Sequence, residues 1–218
     1  PIYTGALFEV EEKELTIVAV DGYRLAKRVE KLNDAKLKKS SFVVPGSSLS
    51  DVERICTEGE GNVDINVGAK HISFSIGGTV VISRRLEGEF MNYRKSIPTE
   101  FEHKITVSKS EFMTSIERVA LIISEKNNSP VRMTFNDGYI YLRCQNPVGV
   151  AEDECFCDGT GGGMEIGFNN RYMTDVLKAS GKDKLLICIN SPSSPCIIKA
   201  EDESDAFTYM ILPVRLKA

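Results

Sequence analysis

The thiols are the residues of this chain best suited to chemistry, and their spacing argues against a reactive centre. Six cysteines stand at positions 56, 144, 155, 157, 188 and 196. Cys155-Phe156-Cys157 with Cys144 comes nearest to a metal site. Its spacing is C-x-C rather than C-x-x-C, and neither His71 nor His103 lies near it in the sequence. Residues i and i+2 of a strand share a face, so the pattern predicts two packed thiols. The six positions do not form a disulfide framework, which predicts reduced thiols in a reducing cytoplasm. No metal and no cofactor is expected. Gly159–Gly163 could cradle a phosphate, but it lacks a Gly-Lys-Ser/Thr ending and precedes a strand instead of opening a helix. It is predicted to be a flexible connection. Asp21 beside Arg24 has no neighbouring nucleophile, His or second carboxylate, so Asp21-Gly22 reads as a turn. Glu152-Asp153-Glu154 and Glu201-Asp202-Glu203 with Asp205 read as solvated loops. A hydrolase built on the first cluster would need a supporting His or a spaced carboxylate pair, which the sequence does not supply. No catalytic residue is assigned, and the chain is expected not to be an enzyme.

Binding chemistry is better represented. Tyr209-Met210-Ile211-Leu212-Pro213-Val214-Arg215-Leu216 is almost wholly apolar. Such a segment is tied into a sheet or lines a surface that something else covers. Val20-Asp21-Gly22-Tyr23-Arg24-Leu25-Ala26 has the same mixture of one Arg, one aromatic and aliphatics. Two such segments converging would make a hydrophobic groove with a basic rim, which suits peptide docking better than catalysis.

The chain has 218 residues, 42% of them hydrophobic, which suits one large or two ordinary domains. No apolar run approaches the length that spans a membrane. Net charge is −4, divided as −1 over residues 1–100 and −3 over 101–218. Neither half is a basic domain, which weighs against tight nucleic-acid binding without excluding a looser kind. The opening Pro1-Ile2-Tyr3-Thr4-Gly5 reads as the interior of a longer protein.

The elements repeat. Ser47–Cys56 predicts a helix capped by Ser47 or Ser48, followed by strands over Val63–Val67, His71–Ile76 and Thr79–Arg84. Ser108–Ser124 predicts a second helix, with Phe112, Ile116, Val119 and Ile123 on one face. Strands Val131–Phe135 and Tyr139–Cys144 follow, joined at the hairpin signal Asn136-Asp137-Gly138. Asn169–Ala179 predicts a third helix with Tyr172, Val176 and Leu177 inward, then strands Lys184–Ile189, Cys196–Ala200 and Ala206–Leu212. Helix starts near 48, 110 and 170 recur every sixty residues or so, and each helix precedes antiparallel strands. This predicts an α+β fold of repeated units, sheets outside and helices inside, able to close a ring. The expected domains are 1–100 and 101–218, with a linker over Asn92–His103. His71 is expected on a strand edge or surface.

Five segments carry a resemblance: Leu15–Ala26 (LTIVAVDGYRLA), Phe42–Leu49 (FVVPGSSL), Leu86–Pro98 (LEGEFMNYRKSIP), Met164–Asp175 (MEIGFNNRYMTD) and Tyr209–Leu216 (YMILPVRL). In this order they resemble the bacterial DNA polymerase III beta sliding clamp family. The resemblance implies a non-catalytic ring: two subunits, joined head to tail as a homodimer, encircle duplex DNA without reading its sequence. Such a ring tethers the DNA polymerase III alpha subunit, the clamp loader and other DNA-handling proteins in the bacterial cytoplasm. It also implies that this chain holds most of the second of three domains and all of the third, lacking the first domain and the opening strand and helix of the second. Alone it would then not close a ring, and it could act as a peptide-binding module without encircling DNA.

The resemblance further implies a groove for a Gln-Leu-x-Leu-Phe-like peptide. The matching positions are Tyr3, Val20, Gly22, Tyr23, Arg24 and Leu25 on one side. On the other they are Asn169, Tyr172, Pro192, Met210, Ile211, Leu212, Pro213, Val214 and Arg215, with Met91, Lys95 and Ser96 between. Met91, Lys95 and Ser96 replace the family's usual Pro, Arg and apolar residue. Arg24 and Arg215 are expected to orient carbonyls or a carboxylate. DNA-facing candidates are Lys109, Arg118 and Lys126 from the second helix and Arg171, Lys178 and Lys182 from the third. Local charge is zero over Ser108–Lys126 and +2 over Asn169–Lys184. Gly46 and Ser47 stand where a basic residue is frequent after the Val-Val-Pro motif.

Overall fold

Ser108 closes a strand and opens a helix. In the computed structural model, which describes residues 1–32, 39–57, 61–124, 129–202 and 206–216, the Ser108 hydroxyl accepts a hydrogen bond from the Glu111 amide at 3.5 Å. That satisfies one of the amide donors every helix start leaves open. The helix that follows, α2 in chain order, spans Lys109–Ala120 and buries Phe112, Ser115, Ile116 and Val119. It stops earlier than the predicted Ser124. The Leu121 amide bonds back to Arg118 and the Ile123 amide to Ala120, at 3.3 and 2.9 Å. Asn169 opens helix α3, Asn170–Ala179, its Oδ1 accepting from the Arg171 and Tyr172 amides at 3.0 and 3.4 Å. Met173, Val176 and Leu177 are the buried stripe of α3. Tyr172, expected inward, is half-buried and packs against the edge of the same core. Replacing Asn169 with Ala is expected to cost about 0.5–2 kcal/mol, read as a lower midpoint in thermal unfolding.

The chain divides into two compact units, Pro1–Gly22 with Lys27–Asn92, and Tyr23–Ala26 with Tyr93–Ala218. The first contains β1 (Gly5–Glu11), β2 (Glu14–Val20), most of β3 (Arg24–Lys31) and β4 (Ser40–Pro45), in sheet order β3-β2-β1-β4. Helix α1 (Gly46–Thr57) leads to a three-stranded antiparallel sheet of β5 (Asp64–Val67), β6 (His71–Ile76) and β7 (Thr79–Arg84). Helix α1 begins at Gly46, so Ser47 and Ser48 lie within its first turn, and the Ser48 hydroxyl shares a 2.7 Å hydrogen bond with that of Ser83. His71 is exposed on β6, the middle strand and not an edge. The core here is Ala6, Phe8, Phe42, Val44, Ile72, Phe74 and Ile76, with the Phe8 and Phe42 rings stacked 5.7 Å apart.

The second unit contains β8 (His103–Ser108), β9 (Val131–Phe135), β10 (Tyr139–Asn146), β11 (Gly149–Asp158), β12 (Met164–Phe168), β13 (Lys184–Ile189), β14 (Cys196–Ala200) and β15 (Phe207–Ile211). Their order is β12-β9-β10-β11-β8-β13-β14-β15, all antiparallel where registered. Helices α2 and α3 pack together into one core with these strands, each fully buried aliphatic or aromatic side chain contributing about 1.5–3 kcal/mol.

Several local expectations are corrected. Glu152, Asp153 and Glu154 lie in β11 and not in a loop. Alternation turns Asp153 toward α2, where its Oδ2 is 2.5 Å from Arg118 Nε. Glu203 and Asp205 lie outside the described residues. Gly159–Gly163 is held at three points: Gly138 N–H to Gly159 O, Gly163 N–H to Phe135 O and Met164 N–H to Gly161 O, at 2.9–3.1 Å. It is therefore a tied turn and not a flexible connection. Within 92–103, Tyr93–Ser96 forms a 3-10 turn with Tyr93 buried. The Asn190 side chain then bonds Glu102 N and Glu100 O at 2.7 and 2.9 Å. None of the six cysteines is in a disulfide. Burial pushes the Cys155 thiol up to about 11, which keeps it protonated and unreactive at neutral pH. Among the described residues no group of three or more His, Cys, Asp or Glu side chains could hold a metal ion. No helix among them is long and apolar enough to cross a membrane.

Candidate peptide-docking wall

The apolar segment 209–216 changes character at Leu212. All of β15 is buried, because it lies inside the sheet, between β14 and the opening residues of β3. Met210 and Ile211, expected as groove residues, are thus 8% and 0% exposed. Both alternating sets of side chains in β15 are buried, so neither faces a groove. Beyond Ile211 the chain leaves the sheet but stays pinned. The Leu212 amide donates to Tyr23 O and the Val214 amide to Gly167 O, both at 2.8 Å. Leu212 and Pro213 are half-buried; Val214 and Arg215 are exposed.

The pinning requires Gly167. A Cβ there would stand 2.9 Å from Val214 O and 2.5 Å from Leu216 Cδ2. The first of these is a backbone atom and cannot swing away.

Around this segment the second unit gathers the aromatic candidates. Tyr23 is 63% exposed, and its ring stacks on Tyr172, centroids 6.4 Å apart at 30°. The Arg24 guanidinium lies 4.4 Å from the centroid of the Tyr172 ring, with its Nη1 2.7 Å from Asp175 Oδ2. Leu25 is 2% exposed, a core residue in which a polar substitution would test folding and not docking. Asn169 is occupied in capping α3. Pro192 is exposed in the turn closed by Ser194 N–H to Ser191 O. Lys95 is exposed and Ser96 half-buried in their 3-10 turn. Among first-unit candidates, Tyr3 is exposed and meets Phe90 edge to face at 5.4 Å. Val20 is half-buried, Met91 is exposed, and Gly22 takes a positive φ of 89°, the turn predicted for Asp21-Gly22.

Tyr23, Tyr172, Leu212, Pro213 and Val214 therefore make a largely apolar wall within the second unit, two of its five residues aromatic. Asp175, beside this wall through its pairing with Arg24, is a position that the sequence reading did not single out. Its signal was its position three residues after Tyr172, on the same helix face.

The basic candidates are dispersed. Arg171 and Lys178, two turns apart on α3, line one open groove with Glu117, Leu121 and Asp175. Arg118 is paired with Asp153, and Lys182 Nζ lies 3.7 Å from Asp202 Oδ2. The Lys109 amide bonds Asp183 O at 2.8 Å. Lys126 lies outside the described residues.

Comparison with known proteins agrees with this architecture. The family described as “DNA polymerase III beta subunit, C-terminal domain” matches residues 94–215, and “DNA polymerase III beta subunit, central domain” matches residues 1–92. A beta sliding clamp of Staphylococcus aureus is 31% identical over 217 residues, covering 99% of this chain and 57% of the relative. The chain thus spans little more than half the length of the curated relatives it matches. The crystal structure of a sliding clamp from Bacillus subtilis superposes with a TM-score of 0.94 at 27% identity, covering 100% of this chain and 58% of that one. The DNA polymerase III beta subunit of Pseudomonas aeruginosa gives 0.90 at 27%, covering 99% and 59%. With the repeated helix-and-sheet units and both domain patterns in sequence order, the chain belongs to the DNA polymerase III beta subunit family.

Proposed function

We propose that this chain is part of a sliding clamp, a non-catalytic processivity factor whose subunits pair head to tail around duplex DNA in the bacterial cytoplasm. It tethers the replicative polymerase, the clamp loader and other DNA-handling proteins by short Gln-Leu-x-Leu-Phe-like peptides. The observation that carries the docking role is the wall of Tyr23 and Val214, both exposed, with the half-buried Tyr172, Leu212 and Pro213. Aromatic and aliphatic anchors dominate interface energies, and this wall offers both beside the exposed cation of Arg215. Tyr3, Val20, Gly22 and Met91 enter the reading on the resemblance alone. A ring retained by topology needs only a mild inner potential, for which Arg171 and Lys178 on α3 are the candidates, and ordinary salt screens it readily.

A narrower reading, docking without encirclement, is favoured by the pairing of Arg118 and Lys182 with carboxylates. Retention of the assembled protein on closed circular DNA, with release on linearisation, selects the ring.

The docking test is fluorescence polarisation of a labelled Gln-Leu-Ser-Leu-Phe peptide. Saturable binding near micromolar, about −8 kcal/mol, is expected. Tyr23→Ala should weaken it roughly tenfold or more, with the unfolding midpoint unchanged because the ring is mostly in solvent. No binding by a folded chain rejects the docking role.

A further inference from the structure

Arg24 was expected to orient a partner's carbonyls or carboxylate, but the structure gives it a closer occupation. One carboxylate, Asp175, lies 2.7 Å from its Nη1, and the Tyr172 ring lies under its guanidinium at 4.4 Å. Tyr172 and Asp175 are three residues apart on α3 and so neighbours on one face. Arg24 therefore binds two adjacent groups of the same helix at once. Tyr23 stacks on the same ring, and its carbonyl is fixed by the Leu212 amide. One aromatic ring thus carries a cation and a second ring, and one carboxylate fixes the cation.

We propose that Asp175 is a positioning residue for partner docking: it locks Arg24 onto Tyr172, making the Tyr23–Tyr172 pair a rigid, charge-neutralised shelf for an aromatic or aliphatic peptide anchor and not for an acidic one. This rests on the docking role proposed above and names the chemistry that the wall accepts. Stability is a poor explanation of the ion pair. Its side chains are 33% and 47% exposed, and pairs of that kind contribute roughly 0–1 kcal/mol. Preorganisation is a better one. A planar guanidinium stacks on an aromatic face in a way a lysine cannot match. A side chain already fixed before the partner arrives loses less conformational freedom on binding. Selectivity follows from charge. A partner carboxylate would have to displace Asp175, giving up one charge-assisted hydrogen bond to make another, whereas an apolar anchor displaces nothing.

The test uses the whole chain and two labelled peptides, Gln-Leu-Ser-Leu-Phe and the same sequence with Glu in the last position. In Asp175→Asn the apolar peptide is expected to bind roughly three- to tenfold more weakly. The ratio of apolar to acidic affinity is expected to fall as the Asp175 charge that opposes the Glu side chain is removed. Asp175→Glu should restore the apolar affinity to within about twofold of the original. In an Arg24→Met background, Asp175→Asn should cause no further loss, since the positioned group is gone. The proposal is overturned if Asp175→Asn binds like the parent, if its loss adds fully to that of Arg24→Met, or if both peptides weaken in equal proportion. Those results, with the parent still binding, leave the docking role standing. Absence of binding by the folded parent rejects the docking role, and this proposal with it.

Discussion

Ile211→Ala is expected to destabilise the second unit by about 2–5 kcal/mol. Val214→Ser, three residues on, should shift its stability by no more than about 0.5 kcal/mol yet weaken peptide binding several-fold. Both residues are branched aliphatics of one apolar segment, so composition alone predicts similar behaviour. Ile211 is fully buried in the cluster that includes Tyr209, Ile198 and Phe207, and removing its branched end leaves a cavity that the surrounding sheet cannot close. Val214 is 38% exposed and held by its backbone, so its side chain is available to a partner. Denaturant unfolding of each variant, beside its peptide titration, checks both halves. Equal destabilisation by the two would mean that the segment is core throughout, and the wall would lose one end.

Gly167→Val is expected to remove most peptide binding while leaving the rest of the second unit folded. The Cβ alone would stand 2.9 Å from Val214 O and 2.5 Å from Leu216 Cδ2, closer than such atoms pack. Overpacking of this sort costs about 1–3 kcal/mol. The cheapest relief is to release Val214 N–H from Gly167 O, freeing a segment that has already left the sheet. Proton exchange at the Val214 amide should then rise, while amides of β13 and β14 stay protected. Unchanged exchange at Val214 with unchanged peptide affinity would show that the segment is not pinned at this point.

The repeat was legible because two of the three helix starts are written in side-chain chemistry: Ser108 and Asn169 precede regularly spaced apolar residues, and both are seen capping, whereas α1 begins at Gly46, ahead of the expected Ser47 or Ser48. Asp137-Gly138 likewise marked its hairpin. What stayed hidden depends on distant neighbours. The sequence 152–154 is acidic enough to suggest a loop, but β10 pairs with it residue by residue and α2 supplies Arg118 to Asp153. Met210 and Ile211 could not be told from Leu212 and Val214, because burial of β15 comes from the opening of β3, far away in the chain. The pairing of Asp175 stayed hidden for the same reason: a carboxylate in mid-helix is ordinary until an arginine from another part of the chain settles on it.

The hydrogen bond from the Leu212 amide to the Tyr23 carbonyl also has a meaning in time. Tyr23–Ala26 are grouped with the second unit although nearly the whole of it is translated later. On the ribosome they emerge long before β15 exists to flank them, and closing so long a loop is slow. A nascent chain that has reached only Ala26 therefore carries Tyr23 with nothing to complete the wall. On the docking role proposed above, competence requires Leu212, so a partner would select chains whose synthesis has passed it.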